Sequence, residues 1–232
     1  LSQVADTVYL CQEVVTLFPG QVEDFYKKTP VMQEYFSKVL AAEQEVFGDL
    51  QFLPANVRTL SMKLQDLSSV PVDTLSEALS ADIIIVFGSS YIKEPLIDQL
   101  IEKKAINIHM GVSPFFRGTA CNFWAIHDKR ADLVGSTIHY LSKGLDSGDM
   151  IFHALPEPGE VDPFLLGMLS VKAAHEGLVE HVKTGDLLSM PSVPQDKAHE
   201  IRYSKNAEFT DDVASAYLAN LPTPKDIHDQ MS

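Results

Sequence analysis

Five consecutive apolar residues, Ile83 to Phe87, narrow the choice of fold more than any other segment of the chain. The run is bounded by Asp82 and Gly88, is shorter than a typical helix and is rich in β-branched residues, so it predicts a strand over residues 82–88. Because successive side chains point to opposite faces, both faces of this strand are apolar. We therefore expect a central strand of a parallel sheet that helices cover on both sides.

Predicted strands and helices alternate around this segment. The strands are expected at residues 7–11, 57–62, 105–109, 135–141 and 150–155, and the helices at 30–47, 95–104, 121–129 and 163–182. Thr74 and Glu77 form a capping-box pattern that predicts a short helix through Leu79. This order predicts an α/β fold with a doubly wound, mainly parallel sheet and helices on both faces. We assign residues 1–190 to that domain and the proline-rich residues 191–232 to a C-terminal extension, with one helix near 211–221.

The bulk composition limits the partners that can be expected. The formal net charge is −14, from 32 acidic and 18 basic residues, which disfavours nucleic-acid binding through a basic surface. The longest apolar run is far below the roughly 20 residues that span a bilayer, so no membrane partner is expected. Two cysteines cannot form a disulfide framework, which indicates a reducing compartment and a cytoplasmic location. The oligomeric state stays open, a homodimer being one option.

Residues 105–118 change from a strand into a loop. In the strand, alternation places Ile106 and Ile108 on one face and Asn107 and His109 on the other. The following residues include Gly111, Pro114 and Gly118 and cannot continue a sheet. A polar pair at the carboxyl end of a strand, below a loop, is typical of an α/β active site.

The candidate catalytic residues are Asn107, His109 and the loop residue Asp146. An amide N–H and an imidazole N–H that point the same way can stabilise a developing oxyanion. A nearby carboxylate can accept a proton or orient an amine or a water. The chain has no serine or cysteine in a nucleophile-elbow context, so direct attack on an acyl carbon is favoured over a covalent route. Cys121 is interpreted as a buried cysteine at a helix start.

Three motifs in this order resemble the folate-dependent formyltransferases. They are Asn107-Ile108-His109, Ser113 to Gly118, and Thr137 to Tyr140 followed by Gly144 to Asp149. The family includes glycinamide ribonucleotide, methionyl-tRNA and nucleotide-sugar N-formyltransferases, and the resemblance covers residues 82–182. Relative to the family, which usually starts with a strand and a glycine-containing loop for the acceptor phosphate, this chain begins at what looks like the second strand.

The resemblance implies a role for each site residue. Asn107 and His109 would hold the formyl oxygen of N10-formyltetrahydrofolate, while Asp146 would assist deprotonation of an attacking amine. The pterin would lie against six residues: Ser89, Ser90, Tyr91, Ile92, Leu141 and Leu145. Met110 and Gly111, where the chain departs from the family pattern, and Arg117 are the candidate acceptor-binding residues. The implied reaction is transfer of a formyl group to a primary amine of a small molecule, without a metal.

Several alternatives stay open. Asp146 could cap the turn at Gly148, and Arg117 could brace its loop against a carboxylate instead of binding an anion. His139 is more simply a buried, hydrogen-bonded histidine. His175 and His181 lack the spacing of a zinc-binding helix.

Two alternative functions also stay open. Water could replace the amine, giving a formyltetrahydrofolate hydrolase, or the chain could be a catalytically silent folate-binding relative.

Overall fold

The computed structural model describes residues 1–14 and 29–232. The strands are β1 (Val8–Val14), β2 (Val57–Lys63), β3 (Ile85–Phe87), β4 (Ile106–His109), β5 (Phe116–Gly118), β6 (Ser136–Tyr140), β7 (Met150–Ala154) and β8 (Arg202–Ser204). The α-helices are α1 (Pro30–Phe47), α2 (Ser76–Leu79), α3 (Leu96–Glu102), α4 (Cys121–His127), α5 (Pro163–Thr184), α6 (Asp211–Ala219) and α7 (Pro224–Met231).

The central sheet has four strands in the order β3-β4-β6-β7. β3 and β4 are parallel, whereas β4 with β6 and β6 with β7 are antiparallel. Two further pairs, β1 with β2 and β5 with β8, are parallel. The α/β class is confirmed, but the four-stranded sheet is mixed and not mainly parallel as expected. β6 and β7 are joined by the short loop 141–149, and a parallel pair would need a crossover connection of a dozen or more residues.

Helices cover both faces of this sheet, as predicted. On one face, Ile85, Ile106 and Ile108 pack in a cluster that includes residues of α5. On the other face, Val86 packs in a cluster with residues of α3. The predicted central position of β3 is wrong within the described strands, because β3 pairs with β4 alone and lies at the edge of the four-stranded sheet. Helices can therefore cover both faces of a strand that has a hydrogen-bonded neighbour on one side only.

Capping side chains and first-turn prolines define where two of the helices begin. The hydroxyl oxygen of Thr29 accepts from the N–H of Met32 at 3.2 Å, and Pro30 occupies the first turn of α1, as predicted. The carboxylate of Asp162 caps α5 in the same way. The predicted cap at Thr74 is wrong, because residues 72–75 form a 3₁₀ turn and α2 begins after it without a side-chain cap.

The C-terminal residues pack on the rest of the chain. β8 pairs with β5, and Tyr217 and Ile227 join Phe116 and Trp124 in one buried cluster. The sequence predicted one helix in this region, whereas the structure has two, α6 and α7. Pro224 occupies the first turn of α7 and does not end a helix. Among the helices of the described residues, none has the length and apolar character needed to span a membrane.

Candidate functional site

A cleft of about 400 Å³ lies beside the carboxyl ends of β3 and β4. Asn107, His109 and Asp146 line it together, and Met110 lies beside them. The six residues expected at the pterin are also in the lining: Ser89, Ser90, Tyr91, Ile92, Leu141 and Leu145. Gly111 and Arg117 are not in the lining, so the structure brings together ten of the twelve predicted site residues.

Asn107 and His109 converge on the carboxylate of Asp146. The side-chain amide of Asn107 donates from Nδ2 to Oδ1 of Asp146 at 3.1 Å. Nδ1 of His109 lies 3.4 Å from Oδ2 of the same carboxylate. Asp146 has a φ of 44°, in the left-handed region that residues other than glycine seldom adopt. Two N–H donors that meet at one carboxylate can also meet at one developing oxyanion.

His139 fixes the orientation of the Asn107 amide. Nδ1 of His139 lies 2.8 Å from the carbonyl oxygen of Tyr140, which can only accept, so Nδ1 carries the proton and Nε2 is an acceptor. The amide of Asn107 donates to this Nε2 at 3.0 Å. A flipped amide would place its oxygen against two acceptors, His139 Nε2 and the Asp146 carboxylate. His139 is thus a buried and fully bonded histidine, and it also holds a site residue.

The contact between His109 and Asp146 raises the pKa of the histidine and lowers the pKa of the aspartate. Burial opposes the charged form of His109, but the hydrogen bond and the charge of Asp146, together with Cys121, raise its pKa above 6.5. Burial likewise raises the pKa of Asp146, but the hydrogen bond and charge of His109, with smaller contributions from His139 and Arg117, lower it below 3.8. Burial lowers the pKa of His139, in agreement with its neutral tautomer. The geometry favours an imidazolium–carboxylate pair beside a neutral imidazole.

This pair predicts a bell-shaped pH dependence of stability. The contribution of Asp146, whose folded pKa is lowered, is present above pH 3.8 and is lost as the pH falls through the lowered value. The contribution of His109, whose folded pKa is raised, is present below pH 6.5 and is lost as the pH rises through the raised value. Urea denaturation of wild type and Asp146→Asn should therefore differ most between pH 3.8 and pH 6.5. A difference that is flat across pH would contradict the pair.

Arg117 links two separate parts of the chain through an ion pair. Its guanidinium donates to Glu200 at 3.2 Å, and the residue is buried. Arg117 lies on β5, a short strand within the segment predicted as a loop, and Glu200 belongs to the segment before β8. This ion pair therefore joins β5 to the C-terminal region. Of the two readings open from the sequence, the geometry favours the brace over an anion contact in the cleft.

Glu13, at the end of β1, holds the segment that carries Ser90. Its carboxylate accepts from the Ser90 N–H and hydroxyl, both at 2.8 Å, and from the N–H groups of Gln65 and Leu67 at 2.8 and 3.2 Å. These hydrogen bonds lower the pKa of Glu13 against the opposing effect of burial. The polar groups of Ser90 are therefore engaged with Glu13. No local pattern marks this contact, because Glu13 and Ser90 are 77 residues apart in the chain.

Replacing Glu13 with glutamine is expected to lower the free energy of unfolding by about 1–3 kcal/mol, because an uncharged amide cannot accept all four hydrogen bonds. Urea denaturation measures this change. The matched control is Glu77→Gln, since Glu77 makes an ion pair with Arg58 in which both side chains are 61% exposed. Such exposed pairs contribute only about 0–1 kcal/mol. Equal losses in the two variants would contradict the proposed importance of the Glu13 contacts.

Gln195, from the C-terminal extension, supports the loop that carries Asp146. Its side-chain amide donates from Nε2 to the carbonyl oxygens of Asp146 and Gly148, at 2.9 and 3.0 Å. Next to it, Val193 forms an antiparallel bridge with Met150. Sequence reasoning missed Gln195, since a lone glutamine in a proline-rich segment carries no local signal.

In the described parts of the chain, no group of three or more His, Cys, Asp or Glu side chains is arranged to hold a metal ion.

The chain is similar in sequence to one family of known proteins. The profile of the family described as formyl transferase matches residues 24–158. A methionyl-tRNA formyltransferase from Desulforamulus reducens is 32% identical over 122 residues, covering 51% of this chain and 38% of that protein. Another from Clostridium beijerinckii is 32% identical over 155 residues, covering 62% of this chain and 46% of that protein. The chain thus spans less than half the length of either relative.

A solved structure confirms the fold. The structure of a Mycobacterium tuberculosis protein, whose suggested activity is sugar N-formylation, aligns with a TM-score of 0.50 and 17% identity. The alignment covers 88% of this chain and 77% of that chain. The family profile extends over more than half of the chain and includes Asn107, His109 and Asp146. The chain therefore belongs to the formyl transferase family.

Proposed function

We propose that the protein transfers a formyl group from N10-formyltetrahydrofolate to a primary amine of a small molecule. The observation that carries this proposal is the convergence of Asn107 and His109 on the carboxylate of Asp146 at the cleft wall. Family membership supports the reaction class. Asn107, His109 and Asp146 are the proposed catalytic residues.

The size and the lining of the cleft support the proposed folate donor. Its volume of about 400 Å³ lies within the range of small-molecule pockets, roughly 300–1,000 Å³. Ile92 and Leu141 offer apolar surface, and the backbone of residues 88–92 and 141–145 offers hydrogen-bonding groups on two sides. A bound donor would supply an activated formyl group. Ser89, Ser90, Tyr91, Ile92, Leu141 and Leu145 are the proposed donor-binding residues.

The three central residues share two proposed tasks. The amide of Asn107 and the imidazole of His109 donate hydrogen bonds to the formyl oxygen as negative charge develops on it. Asp146, kept ionised by His109, accepts a proton from the attacking amine, and N10 of the donor takes up a proton as its bond to the formyl carbon breaks and tetrahydrofolate leaves. His139 accepts one N–H of the Asn107 amide and so keeps the other N–H turned toward Asp146.

The acceptor is proposed to be a small amine that reaches the cleft beside Met110. The net charge of −14 opposes the approach of a polyanion and supports a small acceptor. A second candidate is an aminoacyl-tRNA, because the relatives from Desulforamulus and Clostridium are named methionyl-tRNA formyltransferases. We further propose a cytoplasmic location, where folate-dependent one-carbon metabolism would supply the donor.

An assay with three arms tests the function. Purified protein is incubated with N10-formyltetrahydrofolate and a panel of amines that includes nucleotide-linked amino sugars, glycinamide ribonucleotide and methionyl-tRNA, and mass spectrometry detects formylated products. We expect a formylated small amine. Formate release without an amine would instead identify a hydrolase, and calorimetric folate binding without any turnover would identify a silent relative.

A further inference from the structure

Cys121 lies directly against the second nitrogen of the His109 ring. The residue begins α4, is 1% exposed, and its Sγ is 3.6 Å from Nε2 of His109. The same sulfur is 3.5 Å from the carbonyl oxygen of Gly118, which can accept the thiol hydrogen. Since Asp146 faces Nδ1, the imidazole has a partner at each nitrogen.

The loop after β4 is shaped so that this contact can form. Gly111 has a φ of 153°, and a Cβ on it would lie 2.5 Å from Cβ of Cys121 and 3.0 Å from Nε2 of His109. Any side chain at position 111 would therefore separate the thiol from the ring. The Thr137 hydroxyl holds the loop in place, since it donates to the Gly111 carbonyl at 2.6 Å and accepts from the Ser113 N–H at 2.8 Å.

We propose that Cys121 is a positioning residue for His109, which it holds at Nε2 while Asp146 holds the ring at Nδ1. The role in catalysis rests on the proposed formyl transfer, in which His109 faces the formyl oxygen. A thiol is both a weak donor and a weak acceptor, so it can partner Nε2 in either protonation state of the ring.

The groups that face His109 determine how loss of the Cys121 thiol should change the pKa and the orientation of the imidazole. Asp146 lies at Nδ1, the ring of His139 lies 6.5 Å away between centroids, and Arg117 acts on Asp146 through its charge. Burial lowers the pKa of His109, whereas Asp146 and Cys121 both raise it. Removing the thiol while Asp146 remains should thus lower the pKa of His109 partway and leave the ring less firmly oriented.

The test uses Cys121→Ala and Cys121→Ser, with Cys11→Ala as the control, because Cys11 is an exposed cysteine on β1 outside the cleft. Side-chain ¹⁵N NMR follows the titration of His109, and the rate of formyl transfer is measured across pH. In Cys121→Ala we expect His109 to titrate at lower pH, the alkaline limb of kcat to move the same way, and kcat to fall by roughly ten- to a hundredfold. Serine should restore part of each effect, and Cys11→Ala should change none.

Unchanged titration and unchanged kcat in a folded Cys121→Ala protein would overturn the proposal. If the wild type forms no formylated product, the proposed function fails, while the NMR titrations still decide whether Cys121 holds the ring.

Discussion

Replacing Asp146 with asparagine is expected to lower formyl transfer by about 10²–10⁴-fold, the usual effect of removing an acid–base group. The amide cannot accept the proton of the attacking amine. It also ends the charge interaction with His109, whose Nδ1 lies 3.4 Å from the carboxylate. Single-turnover measurements with saturating donor would separate this chemical step from donor binding, for which we expect a change of less than roughly tenfold.

Asp149→Asn is the matched control for this experiment. Asp149 is an exposed aspartate in the same loop, and its backbone carbonyl, not its side chain, accepts from the Tyr140 N–H. Its replacement should leave both the rate and the stability near wild type, because exposed surface substitutions usually change stability by less than about 0.5 kcal/mol. Near wild-type turnover by Asp146→Asn would refute the proposed catalytic role.

Much of the site was predictable because its central residues lie in short local motifs. Asn107 and His109 share a strand face through simple alternation, and the glycines around Asp146 indicate a loop at a strand end. The placement of Ser89 to Ile92 was implied by the resemblance to the family, and it agrees with the position of ligand sites at the carboxyl ends of parallel strands. Local patterns of this kind report the type of each element well.

The contacts that hold the site are long-range and leave no local pattern. Glu13 reaches Ser90 across 77 residues, and Gln195 reaches Asp146 across 49. The contact between Asn107 and His139 depends on the antiparallel register of β4 and β6, in which these residues are direct partners. A mainly parallel sheet would not have predicted that register, since strand pairing is decided by how the connections pack.

Replacement of Gly148 is the second substitution for which we expect a large effect. The backbone of the Asp146 loop passes very close to β6 at this residue. A Cβ on Gly148 would overlap the carbonyl oxygen of Tyr140 and lie 3.2 Å from Nδ1 of His139. These two atoms form the hydrogen bond that sets the His139 tautomer. The Gly148 carbonyl also accepts from Gln195, so a displaced Gly148 would release the loop on both sides.

Gly148→Ala is therefore expected to destabilise the fold by about 1–3 kcal/mol, as overpacking does, and to lower the melting temperature by roughly 2–4 °C per kcal/mol. Formyl transfer should fall by about 10²-fold, since a displacement of about 1 Å at a reacting group has that effect. Calorimetry and the transfer assay measure the two results.

Gly144→Ala is the control within the same loop, because a Cβ there meets only the side chain of Ser147, which can rotate away. It should therefore keep most of the stability and activity that Gly148→Ala loses. Equal behaviour of the two alanine variants would mean that the close approach of Gly148 to β6 does not position Asp146. Loss of activity in Gly148→Ala at an unchanged melting temperature would instead show that the approach controls the Asp146 loop without contributing to the stability of the fold.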